Sequence, residues 1–428
     1  MRIFKMIILG FLAVIALCIL TFSGFFLFRA IQSPEGELPA VLHTEAIFTE
    51  EEALVIPEEV PEEIPEETPE VPPEEEPPAE TPARISAKVY LQTMTQEEKI
   101  WQLFMVRPED ITNVETATRA GEATEKALTQ YPVGGICYFA ANLEDQEQVV
   151  EMLSKTQSYS KTPLFLAIDE EGGTVSRAGS NEELAVTHLP AAAELGKAGD
   201  NVAVLQAGQT LAGELTALGF NVNFAPVADI ITNPNNTEIG DRAYSDDPET
   251  AALMVAAMTR GLQEGGMAAC LKHFPGHGST EADSHEGKSL STRTLEELQQ
   301  NEWLPFRAGI DQGSKFVMVS HMTNENISPL PASLSPEVMN FLRQDLNFDG
   351  IIITDSLQMK AIVGYYGADE AAVLALKAGA DMLLMSNSAE KAYNGIIAAL
   401  ETGELTQERI DESVLRILTA KYELGIMK

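Results

Sequence analysis

GIIITDSLQMKAIVGYYGADEAAVLALKAGADMLLMS, residues 350–386, contains one complete strand–helix–strand unit. GIIITDS (350–356) and ADMLLMS (380–386) are short runs of almost unbroken apolar residues. Between them, DEAAVLALKAG carries the spacing of an amphipathic helix and ends on glycine. A strand with no polar alternation is buried on both faces, and two such strands joined by a helix run parallel. The same texture extends amino-terminally. Candidate strands are QLFMV (102–106), GGICYF (134–139), LFLAIDE (164–170), FNVNFAPV (220–227), AACLKHF (268–274) and FVMVSHM (316–322), and NVAVLQAGQTLAGELTALG is a further helix. Eight units of this kind predict an α/β fold, a (β/α)8 TIM-type barrel with loop insertions. An open doubly wound sheet fits the same alternation. No Gly-x-Gly-x-x-Gly follows the first strands, which argues against dinucleotide binding.

Outside this region the composition changes. Residues 6–28 are an uncharged, mostly apolar run, preceded by Arg2 and Lys5. That length crosses a bilayer as a helix, and the charge bias keeps the amino terminus cytoplasmic and exports the rest. A signal peptide cleaved after export is the alternative. The stretch from Pro34 to Ala83 holds 17 Glu and no Lys or Arg, and is rich in proline. Too little apolar surface and mutual repulsion predict a disordered, extended stalk. The expected organisation is a membrane anchor over residues 1–30, a disordered acidic linker over 31–83 and a catalytic domain over 84–428. The formal charge of −37 excludes a nucleic-acid partner, because phosphate binding needs a basic surface, although nearly half of that charge lies in the linker. Three cysteines build no disulfide framework, and Cys137 and Cys270 read as buried thiols.

Several strands end in a polar group: Asp169 after FLAI, Lys272 and His273 in ACLKHF, His321 after FVMVS, Asp355 after GIIIT. In a barrel these ends meet on one face, where active sites are built. Any one of them alone reads equally well as a satisfied structural pair. KHFPGHGSTEADSHEG (272–287) then leaves the fifth strand as a glycine- and proline-rich loop over that face, carrying three of the six histidines. Asp283 and His285 stand two apart, so the carboxylate can orient the imidazole and favour its protonated form, as a general acid needs. A loop-bracing hydrogen bond is the plainer reading. A metal site on His273, His277, His285 and His321 is disfavoured. Pro275 and Gly276 break the helical spacing, and the first strand ends without histidine. No metal or other cofactor is expected.

These segments together resemble glycoside hydrolase family 3, in particular its single-domain β-N-acetylglucosaminidase (β-N-acetylhexosaminidase) branch. KHFPGHGSTEADSHEG matches the signature loop and LAIDEEGGTVSR the Asp-x-Glu-Gly-Gly segment. FNVNFAPVADI, IGDRAYSDDP, IITDSLQM and the closing ERIDESVLRILTAKYELGI follow in order, from about Lys88 to Gly425. The resemblance implies Asp355 as catalytic nucleophile, giving a covalent glycosyl-enzyme and retained configuration, with His285 held by Asp283 as acid/base. It implies Asp169, Arg242, Lys272 and His273 as donors and acceptors to sugar hydroxyls and Met359 as an apolar contact beneath the sugar, though Met359 reads equally as core. His277, Ser284 and His321 would shape the pocket. Larger family members take their acid from a Glu outside the barrel. This chain ends at Lys428, just past the last helical segment, so the expected acid comes from the barrel's own loops.

The expected substrate is an N-acetylglucosamine-containing glycan, such as a peptidoglycan fragment, with no obligate protein partner. Two other functions stay open: a phosphorylase using phosphate instead of water, and a non-catalytic cell-wall glycan-binding protein.

Overall fold

In the computed structural model, residues 80–280, 287 and 289–428 are described. The apolar anchor and the acidic linker up to residue 79 lie outside them, as do Asp283 and His285, while Pro82 and Ala83 at the end of the linker open the helix Pro82–Leu91. Among the described residues no helix is long and apolar enough to cross a membrane.

Eight parallel strands, β1 Phe104–Val106, β2 Gly135–Tyr138, β3 Phe165–Ile168, β4 Val222–Asn223, β5 Ala268–Phe274, β6 Phe316–Val319, β7 Ile351–Thr354 and β8 Leu383–Leu384, pair in chain order. β8 returns to pair with β1, Phe104 opposite Leu383 and Met105 opposite Leu384. A parallel bridge between Ile353 and Met382 brings β7 alongside β8, so the sheet is a nearly closed barrel consistent with a TIM-type fold. Every residue of these eight strands is buried, as unbroken apolar runs require when helices cover the outside.

All eight candidate strands are present, several of them shortened for local reasons. FNVNFAPV is split into the two-residue strand Val222–Asn223 and an isolated parallel bridge from Val227 to Lys272, because Pro226 brings no N–H to a ladder. ADMLLMS stops at Leu384, and Met385 turns into the left-handed region at φ 46°. QLFMV begins at Phe104 because Gln102 closes the helix Gln96–Gln102. The helices start where carboxylates or hydroxyls accept orphan N–H groups: Thr95 with Glu98 as a capping box, then Asp145, Asp200 and Asp247. Helix Asn201–Leu218 ends at Gly219, φ 108°, which turns the chain into β4.

The amino-terminal end of the barrel is plugged. Phe165 and Phe316, the first residues of β3 and β6, meet edge to face at 5.1 Å. Lys421, from helix Gln407–Glu423, lays its ammonium 5.0 Å from the centre of the Phe165 ring and donates to Gln102 Oε1 at 2.7 Å. It is 0% exposed and has no carboxylate partner among the described residues. Burial lowers its pKa from 10.5 to about 7. The unfolded chain therefore holds a proton that the folded chain sheds between those two values. Stability rises with pH across that window, and the cost of the buried charge is fully present below pH 7. Lys421→Met is expected to raise the unfolding free energy at pH 6.5 by about 1–4 kcal/mol, with the gain shrinking by pH 10. Denaturant titration at both pH values checks this, and equal gains at the two would contradict it.

Candidate active site

The carboxyl ends of the strands surround a cavity of about 530 Å³. Asp169, Arg242, Lys272, His273, Asp355 and Met359 all line it, with Arg107, Cys137, Phe139, Arg177, Phe224, Glu238, Met318, Gln358 and Lys360 among their neighbours. The candidate residues converge because β3, β5 and β7 each end in a side chain that points inward at the same level. His321 is not in the lining. It sits behind the wall and is buried.

One face of the cavity is an ionic lattice. Lys272, 2% exposed, pairs with Asp169 and, at 2.5 Å, with Glu171. Arg242 donates twice to Glu171, Nε and Nη2 each at 2.8 Å, and Nη1 reaches the Glu238 carbonyl at 3.0 Å. Arg177 donates to Asp169 at 3.2 Å. Burial pushes Glu171 toward protonation, but Lys272 and Arg242 outweigh it and hold the carboxyl at about 2. Lys272 is raised in turn, Asp169 and Glu171 overcoming its burial. Both groups are therefore charged at neutral pH, and each cation is aimed at the cavity by a fixed carboxylate.

Glu171, Asp229 and Arg177 were not among the candidates. Alternation offered a signal for the first. In DEEGG directly after β3, side chains separated by two share a side, so Asp169 lines the cavity and Glu171 lies on the same side behind Lys272 and Arg242. Glu170 points the other way, where it accepts N–H bonds from Arg177 at 2.7 Å and Ala178 at 2.6 Å and so folds the following loop back. Asp229 follows the apolar APVA, the same pattern of a carboxylate closing an apolar run.

Asp229 is the post on which the signature loop is hung. Its Oδ2 accepts the backbone N–H of His273 at 3.0 Å and meets Nδ1 of the same ring at 2.7 Å. Its Oδ1 accepts the N–H of His277 at 2.6 Å. Nδ1–H therefore donates to the carboxylate, and His273 Nε2 stands 3.4 Å from Arg242 Nη2. The glycines are sterically required. Gly276 adopts φ 130°, and a Cβ on Gly278 would stand 1.9 Å from the Ile230 carbonyl oxygen. His277 is buried, its pKa depressed by that burial, and Thr280 Oγ1 lies 3.1 Å from its Nδ1.

Asp355 lies beyond the end of β7. Its N–H donates to the Val319 carbonyl at 2.9 Å, and its Oδ1 accepts the Ser356 N–H at 2.6 Å. His321 Nε2 donates to the Ser356 carbonyl at 2.8 Å and Nδ1 lies 2.7 Å from Ser333 Oγ, so the imidazole pins the turn that carries Asp355. Burial lowers the His321 pKa. Burial would raise the Asp355 pKa, but the fields of His321 and His273, the Ser356 N–H and Lys272 together bring it below the ordinary aspartate value. The cavity thus presents an ionised carboxylate opposite a wall of fixed donors. Among the described residues no set of three His, Cys, Asp or Glu is placed to hold a metal ion.

Residues 95–420 match the model of the Glycosyl hydrolase family 3 N terminal domain. The chain belongs to glycosyl hydrolase family 3. Within the family it is 35% identical over 305 residues to a beta-hexosaminidase of Nitrosomonas eutropha, covering 68% of this chain and 86% of that one. It is 32% identical over 326 residues to beta-hexosaminidase A of Pseudoalteromonas piscicida, of which it spans about half, 54%. The solved family 3 beta-N-acetylglucosaminidase of Paenibacillus sp. FPU-7 superposes with a TM-score of 0.73 at 38% identity, over 78% of this chain and 63% of that one.

Proposed function

We propose that this family 3 chain is an exo-acting, retaining β-N-acetylhexosaminidase, and that it removes terminal N-acetylglucosamine from peptidoglycan fragments or related glycans. The observation that carries the reading is the ionised Asp355 at the mouth of β7, facing a cavity whose opposite wall is the Asp169–Lys272–Glu171–Arg242 lattice. The beta-hexosaminidase names of the relatives agree with it. In this reading Asp169, Arg242, Lys272 and His273 hold the sugar hydroxyls, and charge-assisted bonds in a closed pocket discriminate their orientation. Met359 lies against the ring. An Asp355 oxygen bonds to the anomeric carbon as the glycosidic C–O bond breaks, and the departing oxygen takes a proton from His285. The neutral imidazole, steadied by Asp283, then takes a proton from water as that water releases the sugar.

Following the product anomer by NMR on an aryl N-acetyl-β-glucosaminide tests the retaining route. The β anomer is expected first, and initial release of the α anomer would overturn it. His285→Ala should lower kcat/KM, which reports the first step, by ~10²-fold or more for poor leaving groups while sparing kcat/KM for activated aryl glycosides, since only the former need a proton to depart. Equal losses on both would remove His285 from the acid role. The reading also includes export, with the apolar run at 6–28 as an uncleaved anchor and the acidic stretch as a spacer for a catalytic domain over 84–428. Protease added to intact cells should then release an active fragment.

A further inference from the structure

We infer that Arg107 and Lys360 read a carboxylate on the leaving group, so that the chain favours N-acetylglucosaminides with an acidic aglycone. The inference rests on the hydrolase reading above and assigns a specificity to its outer half.

The cavity has a depth gradient. Lys272 and His273 are 2% and 7% exposed at its floor, whereas the Arg107 side chain is 37% exposed and Lys360 lies open to solvent. An exo-acting enzyme seats the terminal sugar at the closed end, so the leaving group faces the mouth, where Arg107 and Lys360 stand. At the floor the cations are matched: Lys272 by Asp169 and Glu171, Arg242 by Glu171, Arg177 by Asp169. At the mouth Asp110 pairs with Arg107 from one side only, and Lys360 has no carboxylate partner among the described residues. Asp110 takes the Arg107 backbone N–H at 3.1 Å, Nε at 3.4 Å and Nη2 at 2.6 Å, and is itself approached by Gln358 Nε2 at 3.4 Å. The guanidinium is thereby fixed from behind. Its Nη1 has no hydrogen-bond partner among the described residues.

Gln358 also ties this corner to the loop that carries Lys360 two residues later, and Lys360 has no ion pair among the described residues. A guanidinium held by its back edge, with an ammonium on the same lining, gives the cavity two cationic donors for a planar anion. In a chain of formal charge −37, incompletely compensated cations at a cavity mouth run against the surrounding field, which favours a local anionic ligand as their purpose.

The carboxylate has two chemical sources, a lactyl ether on the next sugar or a uronic acid. The test therefore uses the full-length chain with N-acetylglucosaminyl-β-1,4-N-acetylmuramic acid and N-acetylglucosaminyl-β-1,4-glucuronic acid, each compared with its methyl ester. We expect kcat/KM to favour at least one acid over its ester by ~10-fold. That ratio should fall toward one in the Arg107→Gln, Lys360→Gln double variant, and the preferred acid identifies the source. Lys360→Gln alters an exposed residue and carries the test alone if the Arg107 variant does not fold. A ratio near one for the unaltered chain, or one unchanged by the substitutions, overturns the inference. Inactivity of the unaltered chain on both acids, both esters and 4-nitrophenyl N-acetyl-β-glucosaminide overturns the hydrolase reading instead.

Discussion

Asp355→Ala is expected to lower kcat on an aryl N-acetyl-β-glucosaminide by at least about 10³-fold, because no other group takes over covalent attack at the anomeric carbon. The carboxylate is held ionised in a half-buried position by neighbouring imidazoles, a backbone N–H and Lys272. Those neighbours stay in place when it is removed. The loss should therefore be chemical: the unfolding midpoint should move by only a few degrees, the Ser356 N–H being the one donor left without its acceptor. Azide offers a second readout. A small anion entering the vacated space should restore turnover and yield the α-glycosyl azide, the stereochemistry of direct displacement. A variant that keeps more than a tenth of its activity, or rescue that gives the β azide, would remove Asp355 from the nucleophile role.

The second large effect is expected at Glu171, a residue that never touches the bond being broken. Glu171→Gln removes the charge that compensates both Lys272 and Arg242, and breaking a buried pair in this way costs about 3–5 kcal/mol. With Lys272 and Arg242 released from a common anchor, kcat/KM should also fall by ~10²-fold, the scale of a 1 Å misplacement of substrate-positioning groups. The pH dependence gives the sign. The folded-state pKa of about 2 lies below the ordinary value of 4.5, so the stabilisation is fully present above pH 4.5 and is lost as pH falls toward 2. Denaturant unfolding of both proteins should therefore differ widely at pH 7 and converge near pH 2. A variant as stable as the parent at pH 7 would show that the lattice contributes no net stability.

These two residues differ in how far the sequence revealed them. Asp355 closes the buried strand IIIT, and an ionisable group directly after a buried strand is conspicuous because losing water is costly unless partners replace it. Asp169, Lys272 and His273 announce themselves by the same rule, and the cavity receives all of them. Glu171 was legible only through the two-residue alternation in DEEGG. Asp229 follows a segment whose proline obscures its strand, and its role depends on a loop some 44 residues away along the chain. Arg177 follows a loop that Glu170 folds back, and nothing local in TVSR indicates that its guanidinium returns to Asp169. The parallel pairing of Leu290–Ser291 with Thr323–Asn324 was likewise without a local signal.

What the residues determine by themselves is the layering. Unbroken apolar strands must be covered on both faces, helical stretches with one apolar side supply the cover, and repetition of that unit yields a parallel barrel with its polar strand ends on one rim. Gly276 and the capping carboxylates belong to the same class, since φ values and orphan N–H groups are local requirements, whereas Gly278 is required by the Ile230 carbonyl that would meet its Cβ. Only the tertiary structure decides which charge faces which. Pairing of Lys272 with Asp169 and Glu171, of His273 with Asp229, and of Gln358 with Asp110 depends on distances between segments far apart in the chain. Coulomb energy and desolvation depend on those distances and on burial, neither of which is a property of any residue alone.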